Sequence, residues 1–184
     1  TTVWGYNGTY PGPTIVVPKD IPVKVKWENK LPKKHLFPVD HTLHGTMDTP
    51  DVRTVVHLHG VNVASDSDGH PDAWYSRDNV FVGHKYSREE YEYTNHQAGA
   101  TLWYHDHAIG ITRLNVYAGL AGFYLIRDHL EKRLGLPEGP YEINLPFLSK
   151  HLKYRVYFKI LLLQGIKHIE NLSWKFFFIV FYFV

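Results

Sequence analysis

The sequence predicts an all-β protein, a sandwich or barrel built from short strands. Up to residue 128, short apolar or alternating stretches are separated by turns rich in glycine and proline, and no stretch there has a sustained helical period. Many short strands joined by such turns are typical of all-β sandwiches and barrels. At 184 residues, of which 44% are hydrophobic, the chain is long enough for one domain with a substantial core.

Six stretches predict the strands, and each is apolar, β-branched or alternating. In chain order they are "TIVV" at 14–17, "PVKVKWEN" at 22–29, "VRTVVHLHG" at 52–60, "EYEYTN" at 90–95, "TLWYHDH" at 101–107 and "LAGFYLIRD" at 120–128. The second alternates strictly, with Val23, Val25 and Trp27 on one face and charged residues on the other. Such alternation is typical of an antiparallel strand that has one wet face.

The chain changes character after residue 128. Residues 129–147 read as a connector, in which Leu130, Leu134 and Leu136 predict one helical turn. Residues 148–184 form an atypical, aromatic-rich tail that we expect to be unrelated to the preceding fold, with a buried terminal strand pair or a membrane anchor as alternatives. The longest apolar run, at 176–184, has nine residues, and a membrane span needs roughly 20. We therefore expect no membrane partner.

Composition excludes several classes of site. The chain has no cysteine, which excludes disulfides, thiolate zinc sites, a cysteine nucleophile and a blue-copper centre within this chain. Residues 1–150 carry a net charge of −2, so they offer no clustered basic face for nucleic acid. The start of the chain shows no signal peptide.

Two His-x-His pairs carry the chemistry: His57 with His59, and His105 with His107. Residues i and i+2 of a strand share a face, about 6.6 Å apart, so each pair projects two imidazoles together. Two such strands side by side gather four imidazoles, which one metal or two closely spaced metals can use. An all-imidazole set suits copper or zinc. The spacing alone does not choose between a zinc hydrolase-like centre and a copper redox centre.

Three stretches resemble the first cupredoxin domain of multicopper oxidases, with the bacterial spore-coat laccases and bilirubin-oxidase-like enzymes as the best match. They are "WGYNGTYPGPTI", "VVHLHG" and "LWYHDHAIGITRLNVYAGLAGFYLIRD", and the resemblance covers roughly residues 3–146. It implies a cupredoxin-like Greek-key β-sandwich or barrel over residues 1–128, incomplete at its amino terminus. It also suggests an extracellular, spore-surface or periplasmic location.

The resemblance further implies a set of residue roles. Enzymes of this family take electrons from phenols, other aromatics or metal ions at a type 1 copper. They reduce O2 to water at a trinuclear copper cluster held by four His-x-His pairs, two from each of the first and last domains. By position, His57 would bind the type 2 copper, and His59, His105 and His107 the type 3 pair. Asp68 matches an acidic residue linked to proton supply, whereas Asp66 is interpreted as a turn residue.

The chain also departs from the family pattern. It lacks the cysteine of the type 1 site and has no third or fourth His-x-His pair. We therefore expect half of a cluster, C-terminal cupredoxin domains as the missing partners, and no oxidase turnover by this chain alone.

Other interpretations stay open at this point. One is a non-catalytic cupredoxin domain that binds copper or zinc. Another is a mononuclear zinc site with Asp106 as the base, although alternation turns Asp106 away from the imidazoles. His41 and His44 could bind a metal at the surface, and Arg113 could orient a loop through backbone carbonyls.

Overall fold

The computed structural model describes residues 2–136, 139–142 and 144. These residues all belong to the first of the two units into which the chain divides, residues 1–150. The aromatic-rich tail predicted at 148–184 lies outside the described residues.

The six predicted strands are all present, although their ends differ from those that the sequence pattern suggests. The first strand, for example, has seven residues where the pattern indicates four. The strands are β1 (Gly12–Pro18), β2 (Val23–Lys26), β3 (Val56–His59), β4 (Glu90–Tyr93), β5 (Ala100–Asp106) and β6 (Ala121–Arg127). The α-helices are α1 (Thr112–Ala118) and α2 (His129–Leu134), and short 3-10 helices lie at Tyr6–Gly8, Ser65–Ser67, Arg77–Asn79 and Gly139–Tyr141.

The described strands form two sheets. One has four strands in the order β1-β6-β5-β3, and the other pairs β2 with β4. The β1 and β6 strands run parallel, whereas β5 is antiparallel to both β6 and β3. This arrangement places β3 at the edge of the larger sheet with β5 as its neighbour.

The main core lies between the two sheets, which makes the fold a sandwich. Its buried side chains come from both sheets and from the loops that join them: Val17, Trp27, Val56, Leu58, Tyr75, Tyr91, Tyr93, Leu102, Tyr104, Tyr124 and Ile126. The alternation predicted for the second strand is confirmed, because Val23 and Val25 pack against this core while Lys24 forms surface ion pairs with Glu90 and Glu92.

Five of these buried side chains are tyrosines, and the hydroxyls of three of them donate to internal acceptors. The hydroxyl of Tyr75 donates to the carbonyl of Trp27 at 2.6 Å, that of Tyr104 to Pro13 at 2.7 Å, and that of Tyr124 to Asn95 Oδ1 at 2.7 Å. Because a buried hydroxyl without a partner is costly, these bonds allow large side chains with a polar end to fill the core.

The α1 helix was not predicted. It has only seven residues and buries just Asn115 and Ala118, so it shows too little apolar period to be read from sequence. It ends at Gly119, whose φ of 128° favours glycine. A Cβ atom there would lie 2.2 Å from the carbonyl oxygen of Trp4. The absence of a sustained helical period before residue 128 therefore did not reveal this short helix.

The helical turn predicted after residue 128 is present as α2. Asp128 caps it, since its Oδ1 accepts from the backbone N–H groups of Leu130 and Glu131. The helix ends at Gly135 in the left-handed conformation. Within the part of the chain that the structure describes, no helix is both long and apolar enough to cross a membrane.

Candidate metal centre

The pairing of β3 with β5 brings the two His-x-His pairs together. In the register of this antiparallel pair, His57 lies opposite His105 and His59 lies opposite Trp103. The N–H of His107, just beyond β5, donates to the carbonyl of Val55 at 2.8 Å. Four imidazoles therefore gather on the face of the sheet that lies opposite Leu58 and Tyr104.

Three of these rings converge closely. The ligand nitrogens of His57, His59 and His105 lie within 4.8 Å of one another, the only such group among the described histidines and carboxylates. The ring of His107 lies beside them, stacked on His57 with the ring centroids 4.6 Å apart. The predicted convergence is therefore present in the structure, with His107 at the margin of the group.

Backbone carbonyls fix the tautomer of three rings. Nδ1 of His57 faces the carbonyl oxygen of Asp68. Nδ1 of His105 lies 2.7 Å from the carbonyl oxygen of Asp106, and Nδ1 of His107 lies 2.9 Å from that of Gly69. Because a carbonyl oxygen only accepts, Nδ1 of each ring carries the proton. The lone pair on Nε2 is then free to bind a metal, as in metal sites whose second ring nitrogen is hydrogen-bonded.

His59 is oriented differently. Its Nδ1 lies 3.4 Å from Nε2 of His105. Two nitrogens bound to one metal at about 2.0–2.1 Å with tetrahedral geometry are separated by about 3.3 Å. This pair of nitrogens is therefore spaced to share one ion, and the all-imidazole donor set fits copper or zinc.

Burial favours the neutral form of His105 and of His57. Desolvation lowers the pKa of His105 to about 4. It also lowers the pKa of His57, an effect that the hydrogen bond to the Asp68 carbonyl opposes. A neutral imidazole has a lone pair to offer, so both shifts favour metal binding near neutral pH.

Trp103 is a site residue that the sequence reasoning missed. Its indole stacks on His105, with ring centroids 4.0 Å apart, and on His59 at 5.4 Å, both at 25° between the ring planes. It therefore covers the two rings whose nitrogens approach each other. The signal was present in the sequence, because Trp103 and His105 are separated by two positions on one strand and share a face.

Two acidic residues of the "SDSDG" turn behave differently. The carboxylate of Asp68 lies 3.4 Å from Nδ1 of His57, and its side chain is 43% exposed, so it reaches both this imidazole and water. Asp66 lies in the 3-10 helix at Ser65–Ser67 and forms an ion pair with Arg88 at 2.6 Å. The interpretation of Asp66 as a turn residue therefore agrees with the structure.

Asp106 points away from the imidazoles, as alternation predicts. It is fully buried, and its carboxylate accepts from Thr54, Val55 and Ala108. Burial raises its pKa to about 7, while those hydrogen bonds oppose the rise. A carboxylate held in this way cannot reach a metal-bound water, which disfavours the mononuclear zinc interpretation.

The remaining candidates lie away from this centre. His41 is exposed and faces Asp51 at 3.2 Å, and no group of three ligands forms around it or His44 within the described residues. Arg113 is exposed. The arginine that orients loops through backbone carbonyls is instead the buried Arg53, which donates to the carbonyls of Gly45, Pro50 and Ile109. The sequence analysis did not identify this residue.

Comparison with known proteins identifies relatives that are much longer than this chain. A family model described as multicopper oxidase matches residues 1–51 and 46–131. The chain is 58% identical over 151 residues to a laccase of Bacillus stratosphericus, covering 82% of this chain and 30% of that protein. It is 54% identical over 148 residues to a laccase of Bacillus subtilis, covering 79% and 29%.

Solved structures agree with these sequence matches. A crystal structure of laccase from Pediococcus acidilactici superposes with a TM-score of 0.56 at 29% identity, covering 77% of this chain and 25% of that one. The predicted fold class, an all-β sandwich like that of these relatives, is confirmed. The chain spans less than a third of the length of each of these three proteins.

Proposed function

This chain belongs to the multicopper oxidase family, and from that premise we propose that it supplies half of the histidine ligands of a trinuclear copper cluster in a laccase-like oxidase. The remaining ligands and the type 1 copper would come from C-terminal cupredoxin domains, outside this chain. The complete enzyme would reduce O2 to water with electrons from phenols, other aromatics or metal ions.

One observation carries the proposal: Nδ1 of His59 and Nε2 of His105 lie 3.4 Å apart, although the two residues are 46 positions apart in the sequence. Without a metal, the Nδ1–H of His59 can donate to Nε2 of His105. When both nitrogens carry lone pairs, the same spacing suits two ligands of one metal ion, whose nitrogens lie about 3.3 Å apart in tetrahedral geometry. We therefore assign His59 and His105 to one type 3 copper.

The other two imidazoles are assigned by position. The Nδ1–H groups of His57 and His107 donate hydrogen bonds to the carbonyls of Asp68 and Gly69. Nε2 of each ring is therefore free to bind a metal. His57 would hold the type 2 copper and His107 the second type 3 copper. When bound, copper supplies the one-electron chemistry that imidazoles and carboxylates lack.

Asp68 is proposed as the residue that holds and passes protons. O2 reduction to water consumes protons, and a carboxylate that reaches both solvent and Nδ1 of His57, a proposed copper ligand, can hold and deliver them. Trp103 would keep His59 and His105 in place by stacking on both rings.

A chimera tests the proposal directly. Residues 3–131 of this chain replace the matching segment of the Bacillus stratosphericus laccase, and copper content and oxygen uptake with a phenol are measured. We expect a full copper complement and oxygen uptake. Replacing Asp68 by Asn in the chimera should slow uptake by about 10²-fold or more while copper content is unchanged.

The outcomes separate the alternatives. A chimera that loads copper but consumes no oxygen would favour a non-catalytic copper-binding domain. Preference for zinc over copper in the isolated chain would favour the zinc interpretation. Oxygen uptake by the isolated 184-residue chain would mean that the inventory of missing ligands is wrong.

A further inference from the structure

Asp106 lies between two of the proposed ligands, yet its carboxylate faces the opposite side of the strand. We infer that Asp106 is a positioning residue of the copper site, which fixes His105 and His107 through the backbone. The inference rests on the proposed role of the four histidines as copper ligands, but its main observable exists without copper.

The carboxylate ties together the two segments that carry the ligands. Its Oδ2 accepts from the hydroxyl of Thr54 at 2.8 Å and from the N–H of Val55 at 3.3 Å. Its Oδ1 accepts from the N–H of Ala108 at 3.0 Å. Thr54 and Val55 lead into β3, which carries His57 and His59, and Ala108 follows His107. One side chain therefore links the start of the first ligand pair to the end of the second.

The backbone of the same residue sets the ring of His105. The carbonyl oxygen of Asp106 accepts a hydrogen bond from Nδ1–H of His105 at 2.7 Å. The backbone N–H of Asp106 donates to the carbonyl of Leu120 at 3.2 Å. With the carboxylate, the carbonyl and the N–H all engaged, the peptide planes around residue 106 have little freedom. The direction of Nε2 on His105 follows from them.

His107 is held from the same point. Its N–H donates to the carbonyl of Val55 at 2.8 Å, and the N–H of Val55 donates to the Asp106 carboxylate. Movement of that carboxylate would therefore displace the backbone on both sides of His107, at Val55 and at Ala108.

The surroundings require an acceptor with two oxygens. Each group that reaches the carboxylate is an N–H or O–H donor, and a side-chain hydrogen bond from Asn115 stabilises the ionised form. Asn115 is itself fixed, because its amide donates to the carbonyl of Arg53 and its Oδ1 faces Nε2 of His35 at 2.9 Å. An asparagine at 106 would turn an N–H toward these donors and leave at least one unpaired.

The test compares Asp106→Asn with Tyr124→Phe in the 184-residue chain. Tyr124→Phe is the matched control, since it removes a different buried hydrogen bond, to Asn95, in the core between the sheets. Long-range ¹H–¹⁵N spectra of the metal-free proteins report the ring tautomers. Competition titration with Cu²⁺ reports affinity. In Asp106→Asn we expect His105 to become a mixture of the Nδ1–H and Nε2–H tautomers and Cu²⁺ to bind about 10–100-fold more weakly. In Tyr124→Phe we expect the parental tautomer and the parental Cu²⁺ affinity.

A second pair of variants keeps the test decisive if Asp106→Asn does not fold. Thr54→Val removes one donor to the carboxylate, and Thr54→Ser restores it. Thr54→Val should shift the His105 tautomer and Cu²⁺ affinity in the same direction, and Thr54→Ser should match the parent chain. The inference would be overturned if Asp106→Asn kept the parental tautomers and bound Cu²⁺ within twofold of the parental affinity. If only Thr54→Val folds, the same result in that variant would overturn it. Absence of Cu²⁺ binding in the parent chain would overturn the proposed function instead, because the tautomer comparison needs no metal.

Discussion

The two faces of the β3–β5 pair use the same alternation for opposite purposes. Inward, Leu58, Leu102 and Tyr104 are almost fully buried in the core between the sheets. Outward, His57, His59 and Trp103 lie on the opposite side of the same strands. On the inner face the tyrosine hydroxyl is bonded within the protein, whereas the outer face keeps ring nitrogens available. A period of two is enough to separate a folding surface from a binding surface.

Burial acts on both faces, and on both it keeps side chains neutral. It raises the pKa of Tyr91 to about 12 inside the core and lowers the pKa of His105 to about 4 at the candidate metal centre. In the core, neutrality preserves packing. At the outer face, neutrality leaves a lone pair. One physical effect, desolvation, therefore serves stability on one face and favours ligand binding on the other.

The largest effect should come from emptying the inner face at Tyr104. Tyr104→Ala removes a buried ring that packs against Tyr6 and Trp27, and we expect a loss of about 3–5 kcal/mol in the free energy of unfolding. Urea denaturation measures it. A loss below about 1 kcal/mol would show that the inner face is not the main source of stability.

Alkaline pH should also destabilise the core that the inner face packs against. Burial raises the folded-state pKa of Tyr91 to about 12, and those of Tyr75, Tyr93 and Tyr104 further. The stability these groups contribute is complete below the unfolded pKa of about 10 and is lost as pH rises above it, by about 1.4 kcal/mol per pH unit for each tyrosine. Unfolding free energies measured between pH 9 and 12 test this. Tyr91→Phe should remove one tyrosine's share of the slope, and an unchanged slope would contradict the assignment.

Copper should stabilise the chain through the outer face alone. At a free Cu²⁺ concentration of 100 times Kd, binding to the folded state adds about 2.7 kcal/mol. His59→Ala removes an exposed side chain, so the metal-free stability should change by less than about 0.5 kcal/mol while the copper-dependent gain largely disappears. Thermal unfolding with and without Cu²⁺ provides the measurement, with His44→Ala as the exposed-histidine control. An equal loss of copper response in both variants would contradict the site.

The smallest effect isolates one hydroxyl on the inner face. Tyr104→Phe keeps the ring and removes only the hydrogen bond to the Pro13 carbonyl, so we expect a loss of about 1 kcal/mol. Differential scanning calorimetry of the two Tyr104 variants separates packing from hydrogen bonding. If Phe costs as much as Ala at this position, the hydroxyl rather than the ring holds the sheets together.

Much of the fold could be predicted because alternation is local. The positions of all six strands and the direction of Asp106, away from the imidazoles, follow from residue patterns within a few positions. Strand pairing does not, since nothing in "TIVV" specifies a parallel partner more than 100 residues away. The α1 helix was not predicted because seven residues are too few to establish a helical period.

The candidate site likewise has features that could be predicted from local sequence and features that could not. The His-x-His spacing predicts which rings share a face, but tautomers depend on carbonyls contributed by distant turns, as with Gly69 and His107. Arg53 could not be recognised either, because its three carbonyl partners are defined only after the chain has folded.

The parallel pairing of β1 with β6 has a consequence for assembly. Gly12 lies beside Gly122, so the larger sheet cannot be completed until nearly the whole of residues 1–128 has left the ribosome. Contacts of such long range cost loop-closure entropy before they return any stability, and domains dominated by them fold in milliseconds to seconds. The nascent protein would therefore pass through a stage in which unsealed strand edges are exposed to neighbouring chains.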